Sequence, residues 1–497
     1  MVVFASFAAF ATIRAPIPGV NEPHYLCKAR HFWDPTWCHR DFFLASTDAH
    51  AVFFATIGGL TRFLSFEQTA WIGRIAAWLL LAVGWTRLTT YLTGSPRGAV
   101  WSAWLFLLLQ AIGNFSGEWV IGGVEAKCFA YAFVWLAIEA MQRTRPRPLL
   151  AAACLGAAIS FHPVVGGWGL LSLASAYIVA RCAERRDEPV WPDWVIAGMI
   201  LGVCSLPGLV PAVMILFNGN EGTGAADAIQ VFERLGHHLN PRLFPSSAYA
   251  MYGVLLAAWL VWLAVRRRIA PEAIRRDRLF HWTVAMSVVF AACGVLFGTL
   301  RPIPWVMKFY PFRLADVLLP MAMVVLVTNG FDSLLAATRY PASRRASLMT
   351  TWLTWGVAFV MSLALAAEAN PTRNDKLTDK FWSDWVGACG WIRGNTPRDV
   401  LVVTPSYSWA FKWHAQRSEF VCFKDCPQDA AGIIEWKRRM DFWEQWRVDR
   451  WDDGYSQAEL AELQVATHAD FLIAHKLLAI QLTPVFTNDT FAVYRLK

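Results

Sequence analysis

The sequence predicts a polytopic, all-α membrane domain of about eleven transmembrane helices over residues 1–368, followed by a small α/β domain over residues 369–497. Three observations predict it. The chain of 497 residues is 56% hydrophobic and only 16% charged, with a mean hydropathy of +0.36. A soluble domain is nearer 45–50% apolar and about 25% charged. The excess sits in runs such as AAWLLLAVGW, WSAWLFLLLQAI and YGVLLAAWLVWLAV, and roughly 17–25 such residues match the thickness of a bilayer core. After Glu368 the runs stop and NPTRNDKLTDKFWSDW opens a stretch of soluble character.

The spans are expected near residues 2–20, 68–88, 98–113, 119–141, 149–162, 164–181, 194–217, 246–265, 279–299, 314–337 and 348–368. The first is the weakest, because its apolar run reaches only to Arg14. It lacks a convincing small-residue cleavage site and so does not read as a signal peptide.

Charge orients the spans. The loops with Arg87 and Arg97, QRTRPRP, RCAERR, RRRIAPEAIRRDR and TRYPASRRAS are all basic, whereas residues 113–118 and 162–166 hold no Lys or Arg. Basic loops stay in the cytoplasm. The N-terminus is therefore expected inside, and residues 21–67, 218–245, 301–313 and those after about 369 outside. The net charge of +8 is explained by these anchors and gives no reason to expect a nucleic-acid partner. The Arg-rich composition fits a bacterial inner-membrane protein.

Ionisable residues within or beside a bilayer are costly and mark function by default. Here they gather on the expected outer side. Glu118, Glu125 and Lys127 lie in GEWVIGGVEAKCFAYAF, His162 in SFHPVVGGW, and His237 and His238 in RLGHHLNPRLFP. Arg301, Lys308, Arg313 and Asp316 lie in RPIPWVMKFYPFRLAD, and Glu22, His24, Asp34, Asp41, Asp48 and His50 in the first loop. Each alone has an ordinary reading: a buried structural pair, a packing histidine, a solvated carboxylate. Their shared side lifts the set above its members.

The C-terminal stretch alternates strand and helix patterns. DVLVVTP and DFLIAH read as strands, AAGIIEWKRRMDFWEQW and SQAELAELQVA as helices, and VFTNDTFAVYRL as a closing hairpin. The densest polar run, TPSYSWAFKWHAQRSEFVCFKDCPQD, carries Lys412, His414, Arg417, Lys424 and Asp425 beyond the first strand. Ligands bind beyond the carboxyl ends of strands in open α/β sheets, so this run is expected to contact acceptor or sugar, with a packed surface as the alternative. Cys27 with Cys38 and Cys422 with Cys426 are the local disulfide options among five outer cysteines.

The first hydrophobic segment, followed by Asn21, Glu22 and Tyr25 and then by amphipathic helices, resembles the GT-C superfamily of membrane glycosyltransferases. NEPHYLCKARHFW, EAKCFAY and KFYPFRL look closest to an uncharacterised bacterial branch. The resemblance implies an inverting transfer of sugar from a polyprenyl-phosphate donor to a glycan, lipid or protein acceptor at the outer face, with membrane lipid around it. An acidic residue of the first outer loop would then act as general base. Glu22 matches best. The preceding acidic position reads Asn21, which leaves Asp41 or Asp48 as the base, or the chain without catalysis. Arg301, Lys308 and Arg313 would hold the leaving phosphate, a role that suits the guanidinium fork. Oligosaccharyltransferases of the superfamily use a divalent ion. No spacing here is diagnostic of one, so no metal ligand is assigned and the cofactor is left unknown. Two other functions compete: a non-catalytic scaffold or glycan-binding subunit, for which Asn21 argues, and a transporter of lipid-linked substrates, for which no internal repeat argues.

Overall fold

The computed structural model describes residues 1–184, 191–217, 222–337, 341–368, 379–405, 410–448 and 454–497. Its contacts divide the chain into two units. One holds Met1–Pro16, Arg74–Val210 and Val231–Asn370; the other holds Ile17–Gly73, Pro211–Gln230 and Pro371–Lys497. The first loop thus groups with the C-terminal residues.

The first unit is helical, and this is a multi-pass integral membrane protein. Among the described residues, six helices are long and apolar enough to cross a bilayer: Phe66–Thr93, Pro163–Cys182, Asp193–Phe217, Ser246–Ile269, Arg278–Leu300 and Leu348–Glu368. Val2–Arg14, Pro148–Phe161 and Ala315–Phe331 are shorter apolar helices. The first ends at Arg14, not near residue 20, because Pro16 and Pro18 follow and supply no N–H. Helix Asp193–Phe217 turns apolar side chains outward, with Val203 at 68% and Phe217 at 73% exposed. Such a face is stable only against lipid. Helix Ala126–Gln142 is the opposite case, with every residue buried except Phe133 and Leu136. Its Trp135 meets Trp85 edge-on at 5.5 Å and its Phe129 stacks on Phe161 at 5.0 Å. Small residues permit close helix approach in membranes: a Cβ added at Gly208 would stand 2.1 Å from the Ser160 carbonyl oxygen.

The expected span 119–141 is shorter than the sequence suggested. Its helix begins only at Ala126, and residues 113–125 form irregular backbone whose cause lies in the site below.

Among the described residues, the second unit is built on a mixed five-stranded sheet. The strands are β1 (Leu401–Val403), β2 (Ser418–Glu419), β3 (Phe471–His475), β4 (Phe486–Thr487) and β5 (Phe491–Arg495). Their order is β2-β1-β3-β5-β4. β1 runs parallel to β2 and β3, and β5 is antiparallel to β3 and β4. Side chains alternate between the faces with a period of two. Leu401, Val403, Leu472, Ala474, Ala492 and Tyr494 pack with Trp436, Met440 and Trp443 of helix Ala430–Val448. Val402, Phe471, Ile473, Phe491 and Val493 pack with Trp385, Cys389 and Ile392 of helix Asp379–Asn395. Each large apolar side chain so buried contributes roughly 1.5–3 kcal/mol. All ten cysteines are free thiols, so neither local pair suggested by the sequence is a disulfide.

Candidate functional site

Residues 113–125 leave helical geometry because a carboxylate holds their backbone. Asp316, buried at the start of helix Ala315–Ala337, accepts the N–H groups of Phe115 at 2.6 Å, Ser116 at 2.9 Å and Glu118 at 3.2 Å, and the Ser116 hydroxyl at 3.1 Å. Consecutive N–H groups turned on one anion form a nest. Gly117 makes the turn at a φ of +81°, and a Cβ there would lie 2.2 Å from the His238 ring. His238 Nδ1 lies 2.7 Å from the Ser116 carbonyl oxygen. A carbonyl only accepts, so this nitrogen carries the proton. Burial, with the tilted His237 ring 4.0 Å away, pushes His238 down to about 3, and the ring is neutral at pH 7.

The nest presents Glu118 to two cations. Its Oε2 lies 3.0 Å from Arg313 Nε and 3.7 Å from Lys127 Nζ, and Glu125 Oε2 lies 3.5 Å from the same ammonium. Each cation also covers an aromatic face: Lys127 stands 4.1 Å from the Trp119 ring centroid, Arg313 3.9 Å from that of Tyr310. Tyr131 donates to the Arg313 carbonyl oxygen at 3.1 Å. His162 faces a donor at each ring nitrogen, Val165 N–H and the Arg313 guanidinium, both at 3.3 Å. A neutral imidazole has one acceptor nitrogen, so one of these contacts at a time is a hydrogen bond.

The structure therefore brings Glu118, Glu125, Lys127, His162 and Arg313 together, with His238 one residue away through Ser116. Of the three basic residues of RPIPWVMKFYPFR, Arg313 is the one that meets Glu118. Arg301 is exposed at the end of helix Arg278–Leu300, and Lys308 is half-buried with its ammonium 5.7 Å from the Phe309 ring.

A second ion cluster lies within the second unit. Lys412, on the short helix Phe411–Ala415, is buried with its Nζ 2.7 Å from Asp425, 2.9 Å from Glu419 and 3.4 Å from Asp41. Burial works against this charge, but Asp41, Asp425 and Glu419 more than offset it and hold the Lys412 pKa well above its ordinary value. Burial likewise opposes the Asp425 charge, yet Lys412 and His24 hold its carboxyl well below the usual range. Asp41 accepts Leu44 N–H and Glu419 N–H, both at 2.9 Å. Glu419, Cys422 and Asp425 place ligand atoms within 4.8 Å of one another. The cation this trio meets is the Lys412 ammonium. Burial raises the Cys422, Cys27 and Cys38 thiols, which disfavours the thiolate a metal would need.

The remaining expected residues divide by role. Glu22 is buried and accepts Gly19 N–H at 2.7 Å. Lys28, on the same helix Glu22–Trp33, donates to the carbonyl oxygens of Phe43, Leu44 and Ser46 and lies 3.6 Å from Asp48. Burial lowers Lys28 to about 8 against the pull of Asp48, and burial raises Asp48. Arg417 donates to the carbonyls of Gln416, Arg393 and Thr396 at 2.7–2.9 Å, tying down the end of helix Asp379–Asn395. Burial pushes His414 down to about 4 beside Trp382. Lys424 is half-buried. An open cleft of about 470 Å³ lies between residues 39–47 and the start of helix Ala430–Val448, lined by Phe42, Ser46, Thr47, Asp429, Glu435 and Arg439 among others. Sequence reading missed Glu419, whose one signal was a carboxylate directly before the apolar run FVCF.

A multi-span helical unit with paired ions at its helix ends, and a mixed sheet in a separate unit, defines a class: polytopic membrane proteins with an ArnT-like fold. The chain is similar in structure to ArnT from Cupriavidus metallidurans in the apo state, with a TM-score of 0.55 at 12% identity, over 100% of this chain and 97% of that one. It is similar also to the same protein bound to undecaprenyl phosphate, with a TM-score of 0.51 at 13% identity and the same coverage. The GT-C resemblance read from the sequence thus holds at the level of fold. Residues 383–442 match a domain of unknown function, DUF6798. No curated protein matches the sequence.

Proposed function

We propose that the protein is a GT-C-type glycosyltransferase that moves a sugar from a polyprenyl-phosphate donor to an acceptor outside the cytoplasm. Eleven helices cross the membrane, with the N-terminus cytoplasmic and the sheet unit outside. The observation that carries the reading is the pair of cations, Lys127 and Arg313, held on Glu118 at the ends of apolar helices. Two cations sharing one anion are set for anion exchange. A donor phosphate would take the place of the Glu118 carboxylate, and the two cations would stabilise it as the leaving group while charge develops. Arg301 and Lys308, on the same loop, draw the lipid phosphate in. The full-length fold likeness supports the donor class, since one of the similar structures holds undecaprenyl phosphate. Glu22, Asp41 and Asp48 are the carboxylates available to the acceptor's proton. His414 and Lys424 stand half-buried in the run that also holds Lys412 and Arg417, and this run contacts acceptor or sugar.

The test is donor turnover. Purified protein in mild detergent is given a panel of polyprenyl-phosphate sugars, and release of lipid phosphate is followed for the wild type and Arg313→Ala. Release lost in Arg313→Ala supports the transferase. A second reading, a non-catalytic subunit that binds the lipid phosphate, draws on Asn21 and on the burial of Glu22 and Asp41. Binding without release from any donor would select it and reject the transferase.

A further inference from the structure

We infer that the open cleft between residues 39–47 and the start of helix Ala430–Val448 binds an uncharged saccharide. All of its lining residues belong to the second unit, so the inference does not rest on the transferase reading.

The cleft holds about 470 Å³, within the roughly 300–1,000 Å³ usual for small-molecule sites. Its polar groups are fixed by the fold and keep hydrogen-bonding capacity. Asp429, just before the helix, accepts Gly432 N–H at 2.8 Å on one oxygen and the Thr47 hydroxyl at 2.9 Å on the other. Glu435 accepts from Arg438 at 2.6 and 2.8 Å and from Arg439 Nε at 2.7 Å. These guanidinium donors, Arg438 first, hold the Glu435 carboxyl well below its ordinary range. An ionised carboxylate offers about four acceptor sites. Both oxygens of Asp429 can therefore take a further donor. So can Oε2 of Glu435, which holds one of the Arg438 bonds.

Arg439 supplies the opposite polarity. Its Nε is spent on Glu435 and its Nη1 on the Phe420 carbonyl oxygen at 3.2 Å. Among the described residues that leaves the two N–H groups of Nη2 for a ligand. The guanidinium lies over the Phe42 ring, 4.4 Å from its centroid, which keeps it from swinging away.

Charge selects the ligand class. Asp41, Asp429 and Glu435 line the cleft, and so do Arg40 and Arg439. A phosphate or carboxylate ligand would face the carboxylates, and an ammonium the guanidinium groups. Asp41 is already bound to Lys412, and Arg40 to Asp470. What remains is two acceptors and one donor, with Phe42 and the exposed Ala45 as apolar surface beside them. A sugar matches this set. Each hydroxyl both donates and accepts, its C–H groups suit the apolar surface, and it brings no charge to desolvate.

The experiment is saccharide binding by the full chain in a detergent without a sugar headgroup. Neutral oligosaccharides of hexose and of N-acetylhexosamine are titrated by calorimetry, with glucuronate and inorganic phosphate as charged probes. Wild type, Ala45→Trp, Glu435→Gln and Arg313→Ala are compared, and the unfolding temperature of each is recorded. Ala45→Trp fills the cleft from an exposed position and removes no hydrogen-bonding side chain. The expected result is that wild type and Arg313→Ala bind a neutral oligosaccharide alike. Ala45→Trp should lose it, and Glu435→Gln should bind it about tenfold more weakly. Both charged probes should bind less tightly than the neutral sugar. No neutral saccharide bound, or a charged probe preferred, overturns the inference. So does wild-type affinity in Ala45→Trp or in Glu435→Gln. Binding lost in Arg313→Ala overturns it too, because that residue lies in the first unit. Absence of lipid-phosphate release would reject the transferase and leave each of these outcomes as decisive as before.

Discussion

Asp316 accepts the backbone N–H of Glu118 at 3.2 Å, and Glu118 in turn meets Arg313 at 3.0 Å. The residue that starts one membrane helix thereby sets the carboxylate on which the site's cations close. An asparagine at 316 keeps one acceptor oxygen but turns an amide donor toward the remaining N–H groups. Asp316→Asn is expected to destabilise the first unit by roughly 1–3 kcal/mol and to lower the unfolding temperature in detergent. An unchanged unfolding temperature would remove Asp316 as the organiser of residues 115–118.

Gly117 tests the same turn sterically. Gly117→Ala sets a Cβ in the left-handed region and 2.2 Å from His238, with strain of at least ~1–2 kcal/mol. His238→Ala opens that space. The double variant should therefore unfold at a higher temperature than Gly117→Ala alone. Simple additivity of the two losses would show that His238 is not what the new methyl meets.

Lys412 neutralises three buried carboxylates. Lys412→Met leaves Asp41, Glu419 and Asp425 facing one another, and breaking a buried ion pair from one side costs about 3–5 kcal/mol. The second unit should unfold first, read by tryptophan fluorescence from the stacked Trp443 and Trp446. Acid should narrow the gap to wild type, because protonated carboxyls no longer need the ammonium. A gap that is constant with pH would place the loss in packing rather than charge.

Lys28 carries a pH dependence of the opposite sense. Its pKa falls from 10.5 to about 8 on folding, through burial. Between those values the unfolded chain binds more protons than the folded one, so stability rises with pH across the window. The cost of burying the charge is fully present below pH 8. The lowering corresponds to roughly 3 kcal/mol at most. Unfolding curves for wild type and Lys28→Met should converge as pH rises from about 8 to 10.5. Parallel curves would show that Lys28 is charged at no cost in the fold.

Much of this was legible in the sequence, and the failures have physical causes. Helix positions follow from long apolar runs, which report burial in lipid directly, and β1, β3 and β5 from short continuous apolar runs that report a sheet buried on both faces. The run GNFSGEWVIGGVEA reads as membrane helix because it is apolar. Its irregular backbone depends on Asp316, about two hundred residues away, and no local pattern encodes that partner. Lys412 and Arg417 looked like ligand contacts because cations on a polar run usually face water. Asp41 is remote in sequence, and no local pattern marks Asp425 and Thr396, though nearer, as partners, so the burial of both was hidden. His24 was one polar residue among several until Asp425 stood beside it.

The Glu118 carboxylate is the point on which the donor reading turns. It lies 3.0 Å from Arg313 and 3.7 Å from Lys127, and a lipid phosphate drawn to these cations must compete with it. Glu118→Gln removes the competing charge but keeps the side chain's size. Lys127 retains Glu125 at 3.5 Å, and Arg313 retains His162 at 3.3 Å. Affinity for a polyprenyl phosphate, titrated by native mass spectrometry, should then rise by about tenfold, or ~1.4 kcal/mol. Arg313→Ala should lose binding under the same conditions, and raising the ionic strength should weaken the wild type less than it would a surface site. If Glu118→Gln binds the lipid phosphate more weakly than the wild type, the carboxylate is not a placeholder for donor phosphate, and the phosphate is held by other residues.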